Sequence, residues 1–439
     1  DIYSPGRVSE MFTKSMTVSR KNGSLFIDDV CVEQVAARFG TPVYIYSWNQ
    51  IADRFTALKN ALSKLDSLIC YSVKANSNLA ILHRLAKLGA GFDIVSGGEL
   101  ERVLKVGGNP ATVVFSGVGK SVEDIDFGIK AGIYCFNVES TSELVRIEDR
   151  ARLLQKVAPV SIRINPNVDA GTHPYISTGL NENKFGVPEQ MAFELYKKAK
   201  TSSHLDIRGV DSHIGSQISD ITAFGESLDH ELKLASRLAS EGIDINHLDI
   251  GGGLGIRYDT EVPINVTAFG NLITQKLTAS RLFQTQGINP KIIVEPGRYL
   301  VAESGILVTK IEYLKPAPGP EFKNFAIVDA AMNDLLRPAL YGAYHNIEPL
   351  IEESESSTEK WNLVGPICES ADFLALNRSI SLSEGNLLAI MTTGAYGFTL
   401  SSNYNSRPRP PEILIEGDKM LEIRSRESID DLLRREKIV

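Results

Sequence analysis

The sequence predicts an α/β protein: a (β/α)8 barrel joined to a β-rich domain of sandwich or barrel-like form. Three observations carry this expectation. Eight short apolar runs alternate with amphipathic helical patterns over roughly 250 residues, the strand number and size of a closed barrel. A polar or glycine-rich stretch follows each run in turn, and a closed barrel aims all such turns at one mouth. After Val301 strand-like runs continue without long helices between them, which marks a separate β domain.

Taken in order, the chain opens with β-like runs at 24–27 and 43–46 around a helical stretch at 31–39 that stops at Gly40. A helical segment over 51–65 leads into the barrel. Its strands are expected at 68–73, 91–95, 113–116, 133–138, 160–164, 207–214, 245–250 and 291–295, with helices such as 99–106, 122–131, 189–200 and 223–241 between them. The later runs at 306–313, 325–329, 361–364, 386–391 and 411–415 build the β domain. The acidic, serine-rich stretch 352–359 reads as an exposed loop, and 421–438 as partly helical. Eight strands already fill a barrel, so the early β runs are assigned to the β domain. The segment 1–47 then joins that domain, 48–300 forms the barrel as an insertion, and 301–439 completes the C-terminal β domain.

With 439 residues, 43% hydrophobic and 23% charged, the chain can bury a core in each of two domains. A net charge of −8 with scattered Lys and Arg gives no footprint for nucleic acid or an anionic membrane. No apolar stretch approaches the ~20 residues of a membrane span, and the first 19 residues lack a secretory apolar run. The expected setting is the cytoplasm with small-molecule partners; a chain that starts at Asp1 leaves an organelle such as a plastid open. The four cysteines show no metal or redox spacing, and no metal is expected. Cys70 and Cys135 lie in apolar runs and read as buried. Cys368, in a polar turn, reads as an accessible thiol.

The chemistry-bearing residues sit at strand ends. Lys74 closes the first barrel strand in Tyr71-Ser72-Val73-Lys74-Ala75-Asn76. A lysine there, partly shielded from water, loses its charge more easily and can form a Schiff base. His213-Ile214-Gly215-Ser216-Gln217 follows the sixth strand, and Asp249-Ile250-Gly251-Gly252-Gly253-Leu254-Gly255 the seventh. A tight turn needs one or two glycines rather than four in five positions, and backbone N–H groups brought close there suit a phosphate. Glu295-Pro296-Gly297-Arg298 follows the eighth. Singly, each has an ordinary reading: a solvated lysine, a structural histidine, a bland loop, a local ion pair.

Together with 365–372 and Gly394-Ala395-Tyr396, these motifs resemble the fold-type III, pyridoxal-phosphate-dependent amino-acid decarboxylases. The resemblance runs from about Phe26 to the C-terminus with the motifs in the family's order. It includes His173-Pro174-Tyr175, Lys184-Phe185-Gly186, Arg337-Pro338-Ala339-Leu340-Tyr341, Cys368-Glu369-Ser370 and 402–412. It implies that Lys74 binds pyridoxal 5'-phosphate covalently, with Asp93, His213, Ser216, Gly252, Gly253, Glu295, Gly297, Arg298 and Tyr396 around the cofactor. Ser216, Gly253 and the Gly297-Arg298 backbone are the implied phosphate contacts, and His213 stacks on the ring. Arg298, Arg337, Tyr341, Glu369 and Tyr396 are implied at the substrate. Cys368 is the implied proton donor, reaching the barrel mouth of a partner subunit in a homodimer.

The chemistry of these residue types agrees. A carboxylate at the pyridine nitrogen keeps it protonated and makes the ring a strong electron sink, so Glu295 argues for decarboxylation where a cationic partner would weaken the sink. The carbanion left by CO2 then needs a proton, and a thiol, ordinarily near pKa ~8.5, supplies one. Arg337 beside an acid favours a substrate with both a distal carboxylate and a distal ammonium, meso-2,6-diaminopimelate, which would yield L-lysine. Decarboxylases of ornithine, arginine or carboxynorspermidine are the alternative. One departure stands out: Thr392-Thr393 occupy positions where the family carries an Asp-Ala pair.

Overall fold

The computed structural model describes residues 18–169, 171, 178, 184–352 and 358–439. His173-Pro174-Tyr175 and most of the acidic loop lie outside these. The chain divides into two compact units, Ala52–Leu300 and, separately, the residues up to Ile51 with Val301–Val439. Among the described residues no helix is long and apolar enough to cross a membrane.

In the first unit, eight parallel strands among the described residues close into a barrel: Ser67–Ser72, Gly91–Ile94, Val113–Phe115, Cys135–Val138, Ala158–Ile164, Leu205–Ser212, His247–Asp249 and Lys291–Val294. Each falls on one of the eight expected runs, and Ile292 pairs with Ser67 to close the ring. Side-chain parity sets what the interior contains, because successive strand residues face opposite sides. Cys70, Val114, Cys135 and Ile293 form one buried apolar cluster. Two residues further along the same four strands, the same parity gives Ser72, Ser116, Asn137 and Glu295. An apolar plug below and a polar floor above are thus one period-2 pattern repeated around the barrel.

Short polar side chains just past the strand ends start the returning helices by accepting N–H groups that the helix cannot satisfy itself. Asn78 caps Leu79–Lys87, Ser96 caps Gly97–Lys105 and Ser140 caps Thr141–Leu153. Ser121 and Asp124 form a reciprocal capping box on Val122–Ala131.

In the second unit, nine strands among the described residues form one sheet. Its main path runs Phe373–Ile380, Glu359–Val364, Asn324–Val328, Gly305–Lys315, Val43–Ser47, Glu412–Glu416, Lys419–Arg424. Leu387–Ile390 also pairs with Gly305–Lys315, and Ile347–Pro349 with Leu387–Ile390. The early run Val43–Ser47 lies between two late strands, as expected of a β domain interrupted by the barrel. Its Tyr46 hydroxyl donates to the buried Glu412 carboxylate at 2.7 Å, whose other oxygen takes Arg424 Nε–H at 2.7 Å.

Three features add detail to the expectations. Within the second unit Ser24–Ile27 forms a separate three-stranded sheet with Val18–Lys21 and Val30–Cys31. The cause is local: Asn22 and Gly23, at φ 52° and 82°, make a tight Asn-Gly turn that pairs Lys21 with Ser24. The stretch 421–438 is helical in part, as expected: it is strand to Arg424 and helix over Ile429–Leu433. Gly417 at φ 61° turns the chain so that Leu421 faces Leu414. Phe373–Ile380 is a strand that the apolar pattern does not announce; its alternation is interrupted by Asn377 at φ 54°.

Candidate active site

Lys74 lies in a single 3-10 turn, Val73–Ala75, directly after the first barrel strand. Its Nζ donates to Asp93 Oδ2 at 2.5 Å, and Ser72 Oγ donates to the same oxygen at 2.7 Å. Ser72 and Asp93 are register partners on adjacent strands, so the contact follows from parallel pairing. Asp93 is fully buried, and its Oδ1 has no partner among the described residues.

The sixth, seventh and eighth strands bring the other expected barrel residues to this floor. His213 Nδ1 accepts the Gly252 N–H at 3.1 Å, which leaves that nitrogen unprotonated. Burial, then the charges of Arg163 and Lys74, hold His213 well below the ordinary histidine range, so its ring is neutral near pH 7. Ser216 Oγ accepts Arg298 Nη2–H at 3.0 Å, and Arg298 Nη1 donates to Tyr258 at 2.6 Å. The glycine run has a packing reason as well as an anion-binding one: a Cβ on Gly252 would strike the Glu295 carbonyl, and one on Gly253 the Gly215 carbonyl. Gly253 also holds φ 103°, which a side chain would strain.

Glu295 is 6% exposed. Burial, and then Asp249, Asp93 and Asp211, push its carboxyl well above the ordinary range, with Lys74 opposing. One oxygen each of Asp211, Asp249 and Glu295 lie within 4.8 Å of one another.

The β unit holds the remaining expected residues. Arg337 is buried at the start of the short helix Arg337–Tyr341, its guanidinium 5.8 Å from the Tyr341 ring. Cys368 is an exposed free thiol, while Cys70 and Cys135 are buried, as their contexts predict. The Cys368 loop is tied down by Asp372, whose two oxygens accept the Ile367 and Met332 N–H groups, both at 2.7 Å. The Cys368 N–H donates to Asn405 at 3.3 Å, and Tyr404 donates its hydroxyl to Glu369. Cys368-Glu369 and the 402–412 motif are therefore neighbours. Tyr396 holds φ 55°, a left-handed conformation costly for an aromatic residue and found at constrained sites.

Arg163, Glu139 and Ser161 of this floor escape a reading of the sequence, whereas Asn137 is one of the polar residues it places at the strand ends. Arg163 bonds Glu139 at 2.8 Å and donates to the His213 carbonyl at 3.2 Å. Asn137 donates to Asp249 at 3.4 Å and accepts Ser161 Oγ–H at 2.6 Å. The signal that could have found them is a polar residue on the inward parity of an otherwise apolar strand, since burying it without a partner is costly.

Comparison with known proteins places this arrangement. The sequence pattern of the family described as "Pyridoxal-dependent decarboxylase, pyridoxal binding domain" matches residues 48–302. The chain belongs to the pyridoxal-dependent decarboxylases. The particular members it matches are diaminopimelate decarboxylases: that of Pseudomonas aeruginosa is 48% identical over 96% of this chain and 99% of its own. Among solved structures, the Helicobacter pylori diaminopimelate decarboxylase complexed with L-lysine is 44% identical, with a TM-score of 0.86 over 92% of this chain and 98% of its own. The M. jannaschii enzyme in co-complex with L-lysine is 37% identical, with a TM-score of 0.90 over 96% and 98%. The barrel mouth fits pyridoxal phosphate: an amine for its aldehyde, a buried carboxyl for its ring nitrogen, an orphaned Asp93 oxygen, and a hydroxyl, glycines and an arginine for its phosphate.

Proposed function

We propose that this chain releases CO2 from meso-2,6-diaminopimelate to give L-lysine, the last step of lysine biosynthesis. The observation that carries the reading is the Lys74 amine held 2.5 Å from buried Asp93 on the floor that also carries Glu295. Bound pyridoxal phosphate supplies an electron sink for the pair left when CO2 departs. The residues of the chain do the rest. Asp93 and Ser72 fix the Lys74 amine where the cofactor aldehyde would meet it. Glu295 would meet the ring nitrogen, the neutral His213 would pack on the ring, and Ser216, Gly252, Gly253, Gly297 and Arg298 would hold the phosphate.

Arg337, with Tyr341, Tyr396 and Glu369, reads the distal carboxylate and ammonium, and Arg298 adds to the carboxylate's field. The partner subunit's Cys368 donates the proton to the carbon that lost CO2, which makes the enzyme a homodimer with shared sites. Four free cysteines, one of them exposed, suit a reducing compartment, and we place the protein in the cytoplasm.

The test is CO2 release by the cofactor-loaded protein from diaminopimelate, ornithine, arginine and carboxynorspermidine in parallel, repeated with Arg337→Ala. Release from diaminopimelate, with Arg337→Ala harming that substrate far more than a monocarboxylic one, is the expected outcome. Release only from another substrate would keep the cofactor chemistry and discard the specificity residues.

A further inference from the structure

Four carboxyls meet in the barrel interior, and their charges do not balance. Asp93 is matched by Lys74 at 2.5 Å, and Arg163 is bonded to Glu139 at 2.8 Å. Asp211, Asp249 and Glu295 remain, one oxygen of each within 4.8 Å of the others, at 2%, 0% and 6% exposure. Two carboxylates that close together and away from water cannot both keep their charge, so they bind a proton between them. The hydrogen bonds say which member is built to stay ionised. Asp249 accepts the Gly251 N–H at 3.0 Å and the Asn137 amide at 3.4 Å. Asn137 is itself oriented by Ser161, which donates to its carbonyl oxygen at 2.6 Å. Apart from Asp249 itself, Glu295 receives a long contact from Ser116 Oγ, at 3.4 Å, among the bonds of the described residues.

We propose that Asp249 is a positioning residue for the cofactor's ring nitrogen, acting through Glu295. In the cofactor-free barrel the two carboxyls share one proton, which rests on Glu295. When the ring nitrogen docks against Glu295 the proton passes to it: the O–H bond breaks, an N–H bond forms, and both carboxylates are left ionised beside a ring cation. A ring that arrives already protonated sends the Glu295 proton to solvent instead. Two negative charges then hold the ring protonated where one would do so less firmly. This rests on the reading of Glu295 as the ring's partner. The electrostatics agree: burial pushes Asp249 up only to about 6, with its bonds to Gly251, Glu295 and Asn137 resisting, and burial pushes Glu295 well above the ordinary carboxyl range. The other titratable groups that interact with Asp249 include the carboxyls of Asp93, Asp211 and Glu231, the thiols of Cys70 and Cys135 and the Tyr134 hydroxyl, with Arg163 as the cation offsetting the carboxyls on Asp211.

The experiment is infrared difference spectroscopy of the full chain before and after addition of pyridoxal phosphate, reading the carbonyl stretch of protonated carboxyl groups. Wild type is expected to lose one such band on binding. Glu295→Gln should lack that band from the start. In Asp249→Asn, where the largest of the neighbouring charges that keep Glu295 protonated is gone and Asp93 and Asp211 remain, the loss should be reduced. The loaded Asp249→Asn protein should also shed its ring proton at lower pH, seen in its absorbance.

No band loss in wild type overturns the proposal, and that outcome depends on no variant folding. An undiminished loss in Asp249→Asn, or its disappearance in Asp211→Asn instead, also overturns it while leaving Glu295 as ring partner. If Glu295→Gln keeps both the band loss and the ring-proton titration of wild type, the reading of Glu295 itself falls.

Discussion

The barrel unit and the β unit put functional side chains in place by different means. In the barrel, Ser72, Asp93, Asn137, Ser161, Arg163, Asp211, Asp249 and Glu295 lie on strands or at their ends, and pairing brings them together: Ser72 is beside Asp93, Asn137 beside Ser161, Arg163 beside Asp211, and Asp211 beside Asp249. Their burial couples them electrically. In the β unit, Arg337, Cys368, Glu369 and Tyr396 sit on turns and a one-turn helix, each fixed by a few backbone contacts such as those to Asp372. The barrel tunes ionisation; the β unit fixes positions. Strand pairing supplies a repeating frame in which polar residues share one interior, and turns supply none.

That contrast can be broken most sharply by activity. Lys74→Ala is expected to abolish both turnover and the absorbance of lysine-bound cofactor, a loss of at least about a thousandfold in kcat. Cys368→Ala should keep the absorbance and lower kcat by about 10²–10⁴-fold, the usual worth of a positioned proton donor. Mixing the two variants should restore some activity if sites are shared between subunits; no recovery would remove the dimeric arrangement from the reading.

Next in size is a matched insult to each unit. A methyl group on Gly252 meets the Glu295 carbonyl, and one on Gly394 meets the Val301 carbonyl. Each alanine variant should lose about 3 kcal/mol in denaturant unfolding. Gly252→Ala should also weaken cofactor binding, because its turn borders His213 and Glu295. Unchanged cofactor affinity in that variant would blur the distinction drawn between the units.

A third prediction concerns pH. Burial pushes the Asp334 carboxyl in the β unit from 3.8 up to about 7. An acid whose folded pKa is raised stabilises the fold fully below its unfolded value and loses that contribution as pH climbs to the folded one. The window is therefore about pH 4 to 7, and the change is about 4 kcal/mol. Asp334→Asn should flatten the stability profile across that window, and an unchanged slope would show that Asp334 is not the group responsible.

The smallest effect tests the departure at Thr392-Thr393. Thr392 holds φ 60°, a conformation that β-branched residues resist, and the Thr393 hydroxyl is buried without a partner among the described residues. Thr392→Asn should raise stability by about 1 kcal/mol, since asparagine visits this region more readily. A fall in melting temperature would mean that the threonine makes a contact worth more than the strain.

Much of the barrel is legible because its signals are local and repeated. An apolar run followed by a polar turn and a capped helix recurs around the barrel, and Lys74, His213, Ser216, Gly252, Gly253, Glu295 and Arg298 each lie at one of those strand ends. Arg163 and Asp211 are not legible, since each is a single polar residue inside a strand whose partner comes from a neighbour. The expectation of a partly helical stretch 421–438 does not separate the strand that ends at Arg424 from the helix Ile429–Leu433, and pairing with Glu412–Glu416 settles the strand.

The sequence by itself determined the (β/α)8 barrel, the interruption of the β domain by it, and the placing of a lysine, glycines and a glutamate at its strand ends, because periodicity and turn composition are properties of short stretches. Tertiary structure alone decided that Asp93 holds Lys74, that Arg298 is bound to Ser216, and that Asp249 lies beside Glu295. Those contacts join residues apart in the chain, 82 positions in the case of Ser216 and Arg298, and the charge of each carboxyl depends on how much water and how many other carboxyls the closed barrel leaves around it.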